Sequence, residues 1–109
     1  MIQVDVYSDS EGNTTEIEIK GHAEYDEYGK DIVCAAVSAL TINMANSVEA
    51  FTEDGFDGSA DEKTGAFSFR FTGAISPESK LLMDSLLLGL SGIAESYGEE
   101  YMQIRFREV

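Results

Sequence analysis

The sequence has 109 residues, of which 43% are hydrophobic, and this length supports one hydrophobic core but not two. We therefore expect a single domain over residues 1–109. The formal net charge is −14 at pH 7, and such an acid excess argues against direct nucleic-acid binding, because affinity for phosphate backbones depends on Lys and Arg.

Two alternating runs open the chain and predict a β-hairpin. Residues 1–7 alternate apolar and polar side chains, and a second run turns Ile17 and Ile19 toward one side. The polar residues 8–13 between the runs are typical of a turn. His22 follows on the polar parity of the second run, so it should emerge at the end of the strand rather than enter the core.

A loop and a long helix come next. Residues 23–30 lack periodicity, which predicts a mobile loop. From Asp31 apolar residues recur every three or four positions, which predicts an amphipathic helix of about twenty residues. Asp31 suits the N-cap, with its carboxylate accepting the amide of Val33 or Cys34. The apolar stripe comprises Val33, Val37, Leu40, Met44, Val48 and Phe51. A neighbouring face carries the small residues Cys34, Ser38, Thr41 and Ala45, which leave room for something to approach.

The second half of the chain repeats this plan. A weak strand pattern in residues 55–62 and a clear one in residues 66–72 predict a second hairpin. Ser76 suits the N-cap of a second helix that ends at Gly98, and residues 102–107 alternate as a last strand. The apolar stripe of the second helix comprises Leu82, Leu86, Leu90, Ile93 and Tyr97. The order ββαββαβ predicts an α+β fold, a two-layer sandwich with both long helices on one face of a mostly antiparallel sheet.

Cys34 and His22 are the only cysteine and histidine in the sequence. In the first helical turn, unpaired amides and the positive end of the helix dipole stabilise a thiolate, and a nearby imidazolium lowers a thiol pKa further. This pattern indicates a Cys34 nucleophile with His22 as general base and then acid, and amides of the same turn as candidates for holding the oxyanion. A structural interpretation stays open, because a lone cysteine among apolar residues is most often a small buried hydrophobe.

Several other kinds of site are excluded by the composition. One Cys and one His are too few for structural zinc, the acidic residues 54–62 lack calcium-loop spacing, and no phosphate-binding glycine motif is present. We therefore expect no metal and no cofactor. A single cysteine and the lack of an opening signal segment favour the cytoplasm. No continuous apolar run approaches the ~20 residues of a membrane span, so we expect no membrane association.

Two segments carry a resemblance to a known family. Gly21-His22-Ala23 and Gly29-Lys30-Asp31-Ile32-Val33-Cys34-Ala35-Ala36-Val37-Ser38 closely resemble the signature of the Prp family of ribosomal-processing cysteine proteases. The resemblance implies a bacterial cytoplasmic endopeptidase that removes the N-terminal extension of a basic large-subunit ribosomal protein, a step required for ribosome assembly or function. It implies Cys34 as the nucleophile, His22 as its proton-transfer partner, and Asp31 and Ser38 in supporting roles.

The resemblance also implies a homodimer and a loop that closes over the substrate peptide. Because the family's processed extension ends in aromatic residues, it implies an apolar pocket beside Cys34. We further expect that His22 and Cys34 are too far apart for a hydrogen bond until substrate binds. Two other functions remain open from the residues themselves, a non-catalytic acidic adaptor for a basic ribosomal protein and a cysteine hydrolase acting on a non-peptide acyl group.

Overall fold

The computed structural model describes residues 1–21, 31–61 and 63–109. Within these ranges, five strands and two helices follow one another in the predicted order. They are β1 (Ile2–Ser8), β2 (Thr14–Lys20), α1 (Ile32–Phe51), β3 (Phe56–Ala60), β4 (Phe67–Phe71), α2 (Pro77–Tyr97) and β5 (Met102–Glu108). The predicted loop of residues 23–30 lies outside the described residues.

The strands form one mixed sheet in the order β3-β4-β2-β1-β5. Both predicted hairpins are present, since β1 pairs with β2 and β3 pairs with β4, each antiparallel. The two hairpins join through an antiparallel β2–β4 contact, and β5 lies parallel to β1 at the other edge. The predicted α+β architecture is therefore confirmed, with three antiparallel pairs and one parallel pair.

One face of the sheet and one side of each helix form a continuous core. Alternate residues of β1 and β2 are almost fully buried there, as the period-2 pattern predicts. The helices contribute Val33, Val37, Met44 and Val48 from α1, and Met83, Leu86 and Leu90 from α2. Each large apolar side chain buried in this way contributes about 1.5–3 kcal/mol relative to exposure. The core thus fixes the position of α1, and with it the position of Cys34.

Two residues of α1 depart from the predicted pattern. Phe51 was expected in the apolar stripe but is 75% exposed, because it is the last residue of the helix. Thr41 was expected on the open face of small residues, but it is buried among the core side chains. Its hydroxyl donates to the carbonyl of Val37 at 3.0 Å, which satisfies the polar group inside the core.

Helix α1 is apolar over most of its length. Among the described residues, α1 is the one helix that is long and apolar enough to cross a membrane by length and composition alone, with a mean hydropathy of 1.3. Counting only continuous apolar runs, as the sequence analysis did, misses it. The buried stripe of α1 lies in the hydrophobic core, and the helix also contacts α2.

An ion-pair cluster on the open face of the sheet joins β5 to β1. Asp5 was expected among the polar, outward residues and does point away from the helices, yet it is 6% exposed. Arg105 donates to its two carboxylate oxygens at 2.9 and 3.2 Å, and Arg107 approaches from the same strand at 3.5 Å. Paired charges of this kind tolerate burial because each carboxylate oxygen has a donor.

Asp54 links the end of α1 to the start of α2. One carboxylate oxygen, Oδ2, accepts the Ser76 hydroxyl at 2.6 Å and the Ser76 amide at 2.8 Å. Ser76 is the predicted N-cap of α2 and accepts the amide of Ser79 at 3.2 Å. The Ser76 hydroxyl, the Ser79 hydroxyl and the Ser76 amide together lower the pKa of Asp54 below its ordinary value.

Candidate functional site

The helix that carries Cys34 begins with the predicted cap. Asp31 has extended backbone dihedrals, and Oδ1 of its carboxylate accepts the amides of Val33 at 3.1 Å and Cys34 at 3.0 Å. The first intrahelical bond runs from the amide of Ala35 to the carbonyl of Asp31 at 3.1 Å. Cys34 is therefore the third residue of α1, inside the first turn, as the sequence predicts.

The cap also changes the electrostatics expected at this turn. The amides of Val33 and Cys34 were candidates for holding an oxyanion, but both already donate to the Asp31 carboxylate. An ionised carboxylate beside the first turn offsets part of the positive potential that the helix end provides. An imidazolium beside Cys34 would add positive charge that stabilises a thiolate there.

Cys34 lies on a defined side of α1. It is half-buried and packs against the hydrophobic core. Leu40 lies on the other flank of the buried stripe, about 120° from Cys34 around the helix, where it faces α2 near Gly89. Helical spacing of about 100° per residue puts Cys34, Ser38 and Ala45 on the side of α1 turned away from α2. That side is the one nearer the β3 edge of the sheet.

Ser38 stands one turn after Cys34 on the same side of the helix. Its side chain is exposed, and within the described ranges no hydrogen bond of its hydroxyl is found, while its carbonyl accepts the Thr41 hydroxyl at 3.2 Å. The structure thus brings Asp31, Cys34 and Ser38 to one end of α1. It also shows no group of three or more possible metal ligands among the residues it describes.

His22 lies outside the described residues, but the residue before it is well defined. Gly21 directly follows β2 and has φ +86°, a conformation that residues with a side chain rarely adopt. A Cβ at this position would collide with the carbonyl oxygen of Met1. Gly21 therefore fixes where the chain leaves the sheet on its way to His22. No structural role of Gly21 was predicted from the sequence, where its place directly before the histidine was the available signal.

Comparisons with known proteins agree with this arrangement. A family model described as cysteine protease Prp matches residues 1–103. The ribosomal processing cysteine protease Prp of Staphylococcus aureus (strain Mu50 / ATCC 700699) is 35% identical over 99 residues, which cover 91% of this chain and 93% of that protein.

Two crystal structures of the S. aureus protease are similar over nearly the whole chain. One holds a covalently linked product peptide; it has a TM-score of 0.91 and 33% identity, and the match covers 98% of this chain and 100% of that one. The other holds a substrate peptide, with a TM-score of 0.86, 32% identity and the same coverage. The similarity thus extends to proteins that were captured with peptides bound.

Proposed function

The chain belongs to the Prp family of cysteine proteases, and from this premise we propose that it removes the N-terminal extension of a large-subunit ribosomal protein. The observation that carries the proposal is the place of Cys34 in the capped first turn of α1. The S. aureus relative is a ribosomal processing protease that has been captured with a covalently linked product peptide. A covalent product is what a cysteine nucleophile forms.

The proposed reaction has two steps. The Cys34 thiolate attacks the scissile carbonyl carbon, a C–S bond forms, and the peptide C–N bond breaks as His22 gives its proton to the leaving amine. Water then attacks the thioester carbonyl as His22 takes up a proton from it, the C–S bond breaks to release the Cys34 thiolate, and the extension leaves with a new carboxylate. Since the Asp31 cap occupies two nearby amides, we assign the oxyanion to other donors than Val33 and Cys34.

We propose that Asp31 supports catalysis by fixing the start of α1, and through it the position of Cys34. Ser38 is placed to face the same substrate, because it is exposed one turn further along the same side. Both are positioning or contact residues in this proposal. Neither takes part in bond making.

The acidity of the chain suits a basic partner. Its formal net charge of −14 attracts a basic ribosomal protein over a distance of about one Debye length, and the attraction weakens as salt rises. A ribosomal protein is made and assembled in the cytoplasm, so we place the protease there. Its single cysteine is compatible with a reducing compartment.

We also propose a homodimer that forms through α2 and the β5 edge. Large apolar side chains are exposed there: Leu81 at 70%, Leu88 at 76%, Phe106 at 66% and Val109 at 74%. Leu81 and Leu88 are seven residues apart, so they lie on one face of α2. Exposed apolar side chains that share a face are typical of an interaction surface. β5 is the strand at the other end of the sheet from β3, so its edge lies away from the side of α1 that carries Cys34.

Mass spectrometry on the ribosomal protein with its extension tests the proposed function. We expect wild-type protein to yield two products whose masses sum to substrate plus one water, and Cys34→Ala to bind the protein without cleaving it. The adaptor interpretation predicts no new masses with either form. A hydrolase of non-peptide acyl groups would leave this protein intact but release an alcohol or thiol from small acyl esters. Cleavage by Cys34→Ala would exclude Cys34 as the nucleophile.

A further inference from the structure

An apolar groove runs between α1 and β3, outside the catalytic end of the helix. We call it the α1–β3 groove and define it by Ile42, Ala45 and Glu49 on α1, and Phe56, Gly58 and Ala60 on β3. The ring of Phe56 stacks on that of the buried Phe69, so Phe56 faces the helix layer. Side chains alternate along a strand, so the same face of β3 also carries Gly58 and Ala60. Beyond Phe56, the side chains on this face of β3 are only the hydrogen of Gly58 and the methyl group of Ala60, so the space beside α1 stays unfilled. Both Gly58 and Ala60 are exposed.

The α1 residues of the groove lie further along the helix on nearly the same side as Cys34. Ala45 is eleven residues after Cys34, which is three turns plus about 20°, so the two lie almost in line along the helix. At about 1.5 Å per residue, Ile42 is about 12 Å and Glu49 about 22 Å from Cys34 along the axis. An extended peptide rises about 3.3 Å per residue. The groove thus lies within reach of substrate residues about four to seven positions from the scissile bond.

The β3 edge offers hydrogen bonds to such a peptide. Within the part of the chain that the structure describes, β3 is the last strand on its side of the sheet. The amide of Thr72 donates to the carbonyl of Gly55 at 2.9 Å, and that of Asp61 donates to Ala66 at 2.8 Å. By antiparallel alternation, the backbone groups of Phe56, Gly58 and Ala60 then point to the outer edge. The same three residues line the α1–β3 groove.

We propose that the α1–β3 groove binds the N-terminal extension of the substrate as an added, sixth strand on β3. This inference rests on the proposed function and deepens it. We assign the groove to the segment before the scissile bond rather than to the one after it. The extension must be an unstructured chain to be cut off, and an edge strand selects an extended backbone. Glu49 within the groove, together with the net charge of −14, favours a segment that is apolar or basic. Substrate residues four to seven positions before the scissile bond therefore contribute to recognition.

Peptides of two lengths test the reach of the groove. With the scissile bond located by mass spectrometry, one synthetic peptide carries eight residues before it and the other carries three. We expect kcat/KM of the wild-type protease to be about tenfold higher on the long peptide. Equal values for the two would overturn the proposal. Failure to cleave either peptide or the intact ribosomal protein would instead refute the proposed function.

A pair of variants on the same strand locates the effect. Ala60→Trp fills the groove, and we expect it to bring the long-to-short ratio of kcat/KM close to one. Ser59→Trp is the matched control, because Ser59 points to the open face, where its hydroxyl lies 2.9 Å from that of Ser68. It should keep the wild-type ratio. A thermal unfolding curve for each variant establishes that it is folded, and a retained ratio in folded Ala60→Trp contradicts the proposal.

Backbone methylation tests the strand pairing without altering the protein. In an added strand alternate amides face β3, so N-methylation at successive residues four to seven positions before the scissile bond should weaken binding with a period of two. We expect two alternate positions to lose about tenfold in kcat/KM and the other two to lose far less. A uniform effect, or none, would show that the extension is not held as a strand.

Discussion

Oδ1 of Asp31 accepts the backbone amide of Cys34 at 3.0 Å, so the helix that carries Cys34 begins on a carboxylate. The same oxygen also accepts the amide of Val33. This geometry accounts for Asp31 as a helix cap. It also places a negative charge where the proposed thiolate would form, which makes the two roles of Asp31 separable by substitution.

Replacing Asp31 with Asn keeps a capping oxygen but removes the charge. We expect Asp31→Asn to change the free energy of unfolding by less than about 0.5 kcal/mol, and Asp31→Ala to lower it by about 1 kcal/mol. Asp31→Asn should keep at least a third of wild-type kcat/KM, whereas Asp31→Ala should lose tenfold or more as the helix start frays. Urea denaturation measures the free energy of unfolding of each variant, and a peptide cleavage assay measures its kcat/KM. A large loss of activity in a fully stable Asp31→Asn would mean that the charge itself orients His22.

Gly21 provides a second test, because its conformation precedes His22. Gly21→Ala must place a Cβ against the carbonyl of Met1 at φ +86°, so we expect a loss of about 2–3 kcal/mol and a clear drop in kcat/KM. Gly12→Ala is the matched control, with φ +83° and nothing within 4 Å of the added Cβ. It should lose only about 1 kcal/mol and keep its activity. If the two substitutions lowered stability and kcat/KM equally, contact of the added Cβ with the Met1 carbonyl would not be the cause of the effect at Gly21.

The hydrogen bonds from Ser76 to the Asp54 carboxylate predict a stability that depends on pH. Because folding lowers the pKa of the Asp54 carboxyl below its ordinary value, the contribution of Asp54 to stability is fully present above that ordinary value and is lost as pH falls through the lower, folded pKa. We expect Asp54→Asn to lower Tm at pH 7, with the difference from wild type shrinking below about pH 4. Differential scanning calorimetry across pH measures this. Glu53→Gln is the control, and a difference for Asp54→Asn that stays constant down to pH 2 would contradict the prediction.

The proposed dimer is tested on α2. Leu88→Glu places a charge in the proposed interface, and we expect it to convert a dimer into a monomer, because burying an unpaired charge is costly. Light scattering coupled to size-exclusion chromatography measures the mass. Phe51→Glu is a control of matched exposure, 75% against 76% for Leu88, at the end of α1. A dimer that survives Leu88→Glu places the interface elsewhere.

Local rules were enough to predict most of the fold. Alternation located β1 and β2, and the caps at Asp31 and Ser76 are where side-chain chemistry placed them. These features depend on neighbours in sequence. The strand order depends on contacts between distant residues, so the β2–β4 junction and the burial of Asp5 by Arg105 had no local signal.

The candidate site divides in the same way. The position of Cys34 in the first turn follows from the Asp31 cap and the helical period, so the sequence predicted it. The engagement of two amides by that cap is a matter of geometry that spacing does not reveal. The separation between His22 and Cys34 stays a prediction, since His22 lies outside the described residues. The family signature supplied their pairing, which neither composition nor periodicity contains.

The parallel pairing of β5 with β1 has a consequence for folding kinetics. Arg105 reaches Asp5 across 100 residues of sequence, and the Ile2 amide donates to the carbonyl of Tyr101 at 2.8 Å. Closing so long a loop is slow relative to forming local hairpins. Refolding should therefore end with the capture of the final strand, after the β1–β2 hairpin, in which Gln3 pairs with Lys20, has already brought Met1 beside Gly21.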